Sequence, residues 1–288
     1  MKRLILHIGY PRTATTWFQK RFFPFVKNFE YISDSYNFVY GFEKIKKYPN
    51  RLIISNEEIT AIKLGGEVDI AFMLNRMKNI IDYYDRIDCL VIVRRQDDII
   101  RSAYTYYIQS GGYYNFDKYW KRMKRINKIR QWKYYSYLQA LEQYMYKDFF
   151  LHIFPYEDFA KNNNDFIKKL SSRLQIDVDF HKINYKPRNS SPSLLSLAVV
   201  RRLNRFFYGY VNPYNNRLAE ELGIKTNKKH IKGIRIPIKI IIGTFNLISF
   251  SKFDLSHVIK KDIWNTFKEE NRKLDEKYHL GLKEYGYY

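Results

Sequence analysis

The stretch Gly9-Tyr10-Pro11-Arg12-Thr13-Ala14-Thr15-Thr16 has the residue types from which an anion site is built. A short apolar run, Leu4 to Ile8, ends at Gly9. Pro11 then fixes a bend, and small hydroxylated residues open a segment with helical apolar spacing at Trp17, Phe18 and Phe22. The order is strand, tight loop, helix. Backbone N–H groups at Thr13 to Thr16 then have no partner within the helix, and with the helix dipole they make a place for an anion. The spacing nearly fits the triphosphate-binding pattern G-x-x-x-x-G-K-[ST], but Ala14 replaces the second Gly and Thr15 replaces the Lys. That Lys reaches the β- and γ-phosphates, so this loop suits a different ligand. The plainer alternative is a strand-to-helix turn capped by Thr. A second apolar run, Arg51 to Ser55, ends in Asn56-Glu57-Glu58, and carboxylates just past a strand's carboxyl end lie where open α/β sheets bind ligands.

The loop resembles the 5′-phosphosulfate loop of sulfotransferases that use 3′-phosphoadenylyl sulfate (PAPS), in which a P-[KR]-[ST]-[GA]-[ST]-T pattern follows the first strand. The resemblance implies that Thr13, Ala14, Thr15, Thr16 and Trp17 line the 5′-phosphate and that Arg12 bridges to the sulfuryl group. Arg12 stands where Lys is usual. It keeps charge and donors but does not release a proton, so its implied part is electrostatic stabilisation. Ser55-Asn56-Glu57 resembles the S-x-E sequence of bacterial carbohydrate sulfotransferases. Sulfuryl transfer needs a base for the attacking hydroxyl, which makes Glu57 the candidate catalytic carboxylate beside its neighbour Glu58.

Further along, Asp88-Cys89-Leu90-Val91-Ile92-Val93 is a continuous apolar run of the kind found in a strand buried on both faces, and it terminates in Arg94-Arg95. In the same family a strand delivers an Arg, and a Ser eight positions on joins it at the 3′-phosphate. Arg94 and Ser102 stand at that spacing, and a guanidinium fork matches phosphate oxygens. Gln96 occupies the position of a common Pro, as in bacterial glycan-modifying members with R-R-Q-[DE]. A basic loop later in such chains closes over the 3′-phosphate, and Arg188 in Lys186-Pro187-Arg188-Asn189 is its candidate.

These groups need a scaffold, and the rest of the chain supplies its signals. Tyr31 to Lys47 has no clear period and reads as loop. Asp69 to Asp85 has the apolar stripe of a packed helix, and a helical segment from Gln96 to Gln109 is broken by Gly111-Gly112. The stretch to Lys147 interleaves Trp, Tyr, Lys and Arg, as an acceptor-binding helical insertion or a solvated amphipathic one would. Phe149 to Phe154 is a further strand. Glu157 and Asp158 after it suit the start of a helix, Asp165 to Leu174 is a short amphipathic helix, and a final helix runs through Asn271 to Tyr278.

A chain of 288 residues, 45% hydrophobic and 18% aromatic, can bury a full core and is not disordered. Its single cysteine, Cys89, excludes a disulfide framework and a thiolate zinc site, and no metal is implied. The net charge of +22 favours anionic ligands. The apolar run after Met1-Lys2-Arg3 is too short for a signal peptide, and Ile236 to Phe250 is too short to span a bilayer. A cytoplasmic enzyme follows, and the basic and apolar stretch 225–250 suits peripheral contact with an anionic membrane surface at the inner face.

The expectation is an α/β, three-layer P-loop-type fold with a mostly parallel central sheet, helical insertions and a helical C-terminal extension. It is read as one domain, 1–288, with an α/β core over 1–185, an insertion at about 113–147 and a mainly helical part over 186–288. The resemblance implies a PAPS-dependent sulfotransferase, closest to bacterial enzymes of capsular or cell-surface polysaccharide. The sulfuryl group would go to a glycan or glycolipid hydroxyl, leaving 3′-phosphoadenosine 5′-phosphate (PAP), with no nucleic acid as partner. The alternatives are a P-loop kinase or other nucleotide-binding enzyme, and a basic nucleic-acid-binding protein.

Overall fold

In the computed structural model, residues 1–32, 48–56, 74–75, 77–145, 148–186, 192–204 and 253–288 are described. They form the strands β1 (Arg3–Gly9), β2 (Glu30–Ile32), β3 (Arg51–Asn56), β4 (Arg86–Val93) and β5 (Asp148–Pro155). The helices among them are α1 (Thr15–Arg21), α2 (Lys78–Tyr83), α3 (Gln96–Gln109), α4 (Phe116–Arg125), α5 (Tyr134–Tyr144), α6 (Tyr156–Lys161), α7 (Asn163–Leu174), α8 (Leu194–Leu203) and α9 (His257–Tyr278).

Every residue of β1 is buried, which is why the strand reads as an unbroken apolar run and not as an alternation. Its odd-numbered Ile5 joins a core with Ile53 of β3, Leu90 and Ile92 of β4 and Phe154 of β5. Trp17 and Phe18 of α1, Phe159 of α6 and Phe166 and Leu170 of α7 complete that core. Leu4, Leu6 and Ile8 point to the opposite side and are also inaccessible, so both faces of the sheet are covered. The strand order is β2-β3-β1-β4-β5 and every pairing is parallel, with Leu6 opposite Ile54 on one side and Cys89 on the other. The α/β fold with a parallel central sheet is thus the one expected. The chain runs from β1 to the edge strand β2, back inward to β3, and then across β1 to β4 and β5, so the direction of winding changes at β1. The loop leaving β1 opens at that switch point, where such sheets hold ligands.

The residues cluster into two compact units. The first comprises Met1–Gln96, Arg130–Arg188 and Trp264–Tyr288 and contains the whole sheet. The second comprises Asp97–Ile129 and Asn189–Ile263. It is built on aromatic packing, with Tyr104 and Tyr107 of α3 against Tyr119 of α4 and Tyr104 against Phe253. α3 stops at Gln109 because Gly111 adopts φ 104°, a conformation that ordinary side chains avoid. Asn204 then donates to the carbonyls of Ile108 and Gly112, holding the turn closed.

Two short elements depart from the sequence expectation. β2, within the stretch read as loop, is a three-residue edge strand paired to Leu52–Ile54 of β3. Of the expected Asp69–Asp85 helix, α2 forms Lys78–Tyr83, Leu74 and Asn75 are also helical, and residues 69–73 and 76 lie outside the described residues. Among the described residues no helix is long and apolar enough to cross a membrane, and the stretch 225–250 lies outside them.

Candidate functional site

The loop between β1 and α1 is wound tightly on the carbonyl of Tyr10. The Thr13 N–H reaches that oxygen at 3.3 Å, the Thr13 hydroxyl at 2.6 Å and the Thr15 hydroxyl at 3.2 Å. The hydroxyls of Thr13 and Thr15 therefore spend their single protons inside the loop, and both side chains are buried. Thr16 is half-buried and Arg12 is exposed. Arg12 and Ala14 both sit in the left-handed region, at φ 76° and φ 61°, a conformation that costs a non-glycine residue roughly 1 to 2 kcal/mol each. Gly9 is needed for a different reason. A Cβ there would lie 2.4 Å from Oγ1 of Thr15, so only a hydrogen lets the helix start so close to the strand.

The N–H groups of Trp17 and Phe18 both bond the Ala14 carbonyl, and the amides of Thr15 and Thr16, in the first turn of α1, have no partner within the helix. α1 is only seven residues long, so its dipole adds little. Trp17 packs edge-on against Phe159 at a ring separation of 4.9 Å. Its indole Nε1 is buried and has no partner among the described residues.

Arg94, directly after β4, meets this loop. Its Nη1 donates to the Arg12 carbonyl at 2.8 Å, and its guanidinium lies 4.5 Å from the centre of the Tyr156 ring. Its Nε is buried with no hydrogen-bond acceptor among the described residues. The two basic residues singled out in the sequence are therefore neighbours, 82 positions apart in the chain.

The backbone around Arg94 is held at several points. The Tyr134 hydroxyl donates to the Arg94 carbonyl at 2.7 Å, and the Arg95 N–H donates to Glu157 at 3.0 Å. The same carboxylate accepts the hydroxyl of Tyr287 at 2.7 Å. Asn271 of α9 donates to the Tyr287 carbonyl and to Gln96, and Gln96 donates to Asn271 in return. Glu157 does lie in the first turn of α6, as its sequence position suggests, but its carboxylate serves the end of β4 and the C-terminal segment. Sequence reasoning missed Tyr134, Tyr156 and Tyr287 as supports of Arg94. No spacing marks them, because the partners are distant in the chain and the bonds depend on tertiary packing.

At the end of β3, the Ser55 hydroxyl bonds Nδ1 of His7 at 2.7 Å, and Gln19 of α1 donates to the Ser55 carbonyl at 3.3 Å. His7 is fully buried among the rings of Phe18 and Phe23, its Nε2 has no partner among the described residues, and burial lowers its pKa to about 3. The imidazole is therefore neutral and anchors the strand end that leads into Asn56. Glu57, Glu58 and Arg188 lie outside the described residues. Ser102 is on α3 in the second unit, half-buried and engaged in polar interaction. No cluster of three potential metal ligands occurs among the described residues.

Fold and site together define a parallel-sheet α/β protein whose first loop and fourth strand end present cationic and N–H donors at one switch point. No protein-family model and no curated protein matches the chain. Among solved structures, the crystal structure of a sulfotransferase from Alicyclobacillus acidocaldarius is similar at a TM-score of 0.45 and 12% identity. The match covers 77% of this chain and 96% of that one. A likeness of that size carries no argument about activity.

Proposed function

We propose that the protein is a sulfotransferase that moves a sulfuryl group from PAPS to a hydroxyl, with a carbohydrate of a cell-surface polysaccharide or a glycolipid as acceptor. The observation that supports this best is the meeting of Arg94 with the Arg12 loop, and in particular the buried Arg94 Nε that has no acceptor among the described residues. An unmet guanidinium donor is costly unless an anion completes it, and a phosphate oxygen fits that need. The choice of donor and of acceptor rests on the sequence resemblance.

The residues fit a bisphosphorylated nucleotide. Arg12 and the amides of Thr15 and Thr16 would hold the 5′-phosphate end, with Thr13 and Thr15 shaping the loop. Arg94 would hold the 3′-phosphate. PAPS supplies a sulfuryl group on an activated phosphate. Glu57 takes the proton of the acceptor hydroxyl as its oxygen bonds to sulfur. Arg12 and the loop amides meet the negative charge that builds on the bridging phosphate oxygen as its bond to sulfur breaks. Such preorganised donors contribute about 10²- to 10³-fold each.

Two measurements test the reading. PAP raises the melting temperature of the purified protein while ATP at equal concentration does not. A ligand at 100 times its dissociation constant adds about 2.7 kcal/mol. In parallel, Glu57→Gln abolishes transfer of label from radioactive PAPS to glycans and keeps the PAP-induced shift. Equal stabilisation by ATP, or no response to PAP, rules the assignment out.

A further inference from the structure

We propose that the groove along α4 is a docking surface for an acidic polysaccharide, a glycan carrying carboxylate or sulfate groups. As the identity of the acceptor, this rests on the sulfotransferase reading; as a binding surface it stands on the second unit alone.

α4 divides its residues cleanly. Phe116, Tyr119, Trp120 and Met123 are buried on one side. Lys118, Lys121, Arg122 and Arg125 follow the i, i+3, i+4, i+7 spacing of a single helical face, about 10 Å long. That face borders a cavity of about 450 Å³ lined by Asn115, Asp117, Lys118, Lys121, Arg122 and Arg125.

The neighbouring Lys124 shows what a satisfied cation looks like here. Its ammonium meets Asp262 at 2.6 Å, and the same carboxylate accepts Trp120 Nε1 at 2.7 Å. Lys118, Lys121 and Arg125 have no ion-pair partner among the described residues. Lys118 is instead placed 4.1 Å from the centre of the Tyr114 ring. Three exposed cations, Lys118, Lys121 and Arg125, without ion pairs among the described residues and beside a cavity large enough for sugar rings, suit a polyanion that threads along the helix.

Three features select the class of polyanion. Single-stranded nucleic acid binds by stacking bases on exposed aromatic faces, and the aromatics of α4 are all turned inward. A helix that docks on a membrane needs an exposed apolar stripe, and that stripe is already packed inside. Asp117, set among the cations, repels a continuous phosphate backbone but accepts hydrogen bonds from sugar hydroxyls. The Asn115 Oδ1 is committed to the Lys118 N–H at 3.0 Å as the helix cap, so its amide N–H₂ is the part left to donate to a ligand. Cations for the acid groups, with a carboxylate acceptor and an amide donor for the hydroxyls, together describe an acidic sugar chain.

The test uses the full chain with polygalacturonate and dextran sulfate as probes. Neutral dextran, a single-stranded oligonucleotide and phosphatidylglycerol vesicles are the controls, and PAP-induced stabilisation is measured on the same samples. The wild type binds the two acidic glycans and not neutral dextran. Lys121→Glu/Arg125→Glu weakens that binding roughly tenfold or more, with an unchanged melting temperature. The milder Lys121→Gln/Arg125→Gln shifts it in the same direction, which separates lost docking from a folding defect. Undiminished glycan binding by both variants overturns the proposal. So does oligonucleotide or vesicle binding that exceeds glycan binding and is lost in the same variants. Weakened glycan binding in a protein that PAP does not stabilise keeps the docking surface and removes the sulfotransfer reading.

Discussion

At the amino ends of β1 and β4, Arg3 and Arg86 both donate to Asp88, at 2.7 and 2.9 Å, and His152 of β5 meets its other oxygen at 2.8 Å. Arg3 also donates to the carbonyls of Leu174 and Gln175 at the end of α7. At the carboxyl end of β4, Arg94 has a carbonyl and an aromatic ring for company, and no carboxylate among the described residues. Both ends of one sheet therefore carry guanidinium groups, and the amino end gathers two of them on one buried carboxylate. Burial by itself would raise the pKa of Asp88. Hydrogen bonds from His152, Arg86 and Arg3 outweigh that and hold the carboxyl well below the usual carboxylate range. The amino end is a structural clamp. Under the proposed function the carboxyl end would use Arg94 for a ligand.

The largest effect should come from breaking the clamp. Asp88→Asn leaves Arg3 buried beside no countercharge, and removing one partner of a buried ion pair costs about 3 to 5 kcal/mol. That lowers the melting temperature by on the order of 10 °C, readable by calorimetry, with PAP binding retained in whatever protein remains folded. A smaller fall, within a degree or two, would mean that the two ends do not differ as described.

Arg94→Met should do the opposite. It removes the unmet donor and keeps an apolar stem against Tyr156, so the melting temperature stays within a few degrees of wild type. PAP-induced stabilisation disappears, and turnover falls by about 10²- to 10³-fold, equivalent to 2.7 to 4 kcal/mol. A destabilised Arg94→Met protein with normal nucleotide response would reverse the assignment of the two ends.

The smallest effect is in pH, and it sharpens the contrast between His7 and Asp88. The folded-state pKa of His7, about 3, lies below its ordinary value of 6.5, so between those values the unfolded chain binds a proton that the folded chain refuses. Stability therefore falls as pH drops through that window, and His7→Leu flattens the fall. Asp88 acts lower. Its folded pKa is depressed below 3.8, so its contribution is present above that value and is lost as pH falls through the folded pKa. Urea titrations from pH 7 to pH 4 read the His7 window, which lies above that of Asp88. An unchanged slope in His7→Leu between pH 6.5 and pH 4 would show that this imidazole does not stay neutral.

The scaffold of the site was legible in the residues themselves. β1, β3, β4 and β5 coincide within a residue or two with apolar runs, because a strand buried on both faces has no polar alternation to blur its limits. The tight loop between β1 and α1 was legible as well, since Gly9, Pro11 and a run of small residues each impose a local backbone constraint. β2 was not, because three residues carry too little pattern and their extended form comes from pairing with β3. Thr13 and Thr15 were legible as hydroxyls, but their direction was not: only the folded loop shows them turned onto the Tyr10 carbonyl.

Local sequence thus determined where strands begin and end and where a tight loop can form, because backbone propensity and burial act over a few neighbouring residues. Tertiary structure alone decided which arginines meet a carboxylate and which meet a carbonyl. Arg3 finds Asp88 across 85 positions, and Glu157 joins Arg95 to Tyr287 across 62 and 130. Charge pairing depends on distance in space, and only strand order and helix packing set that distance.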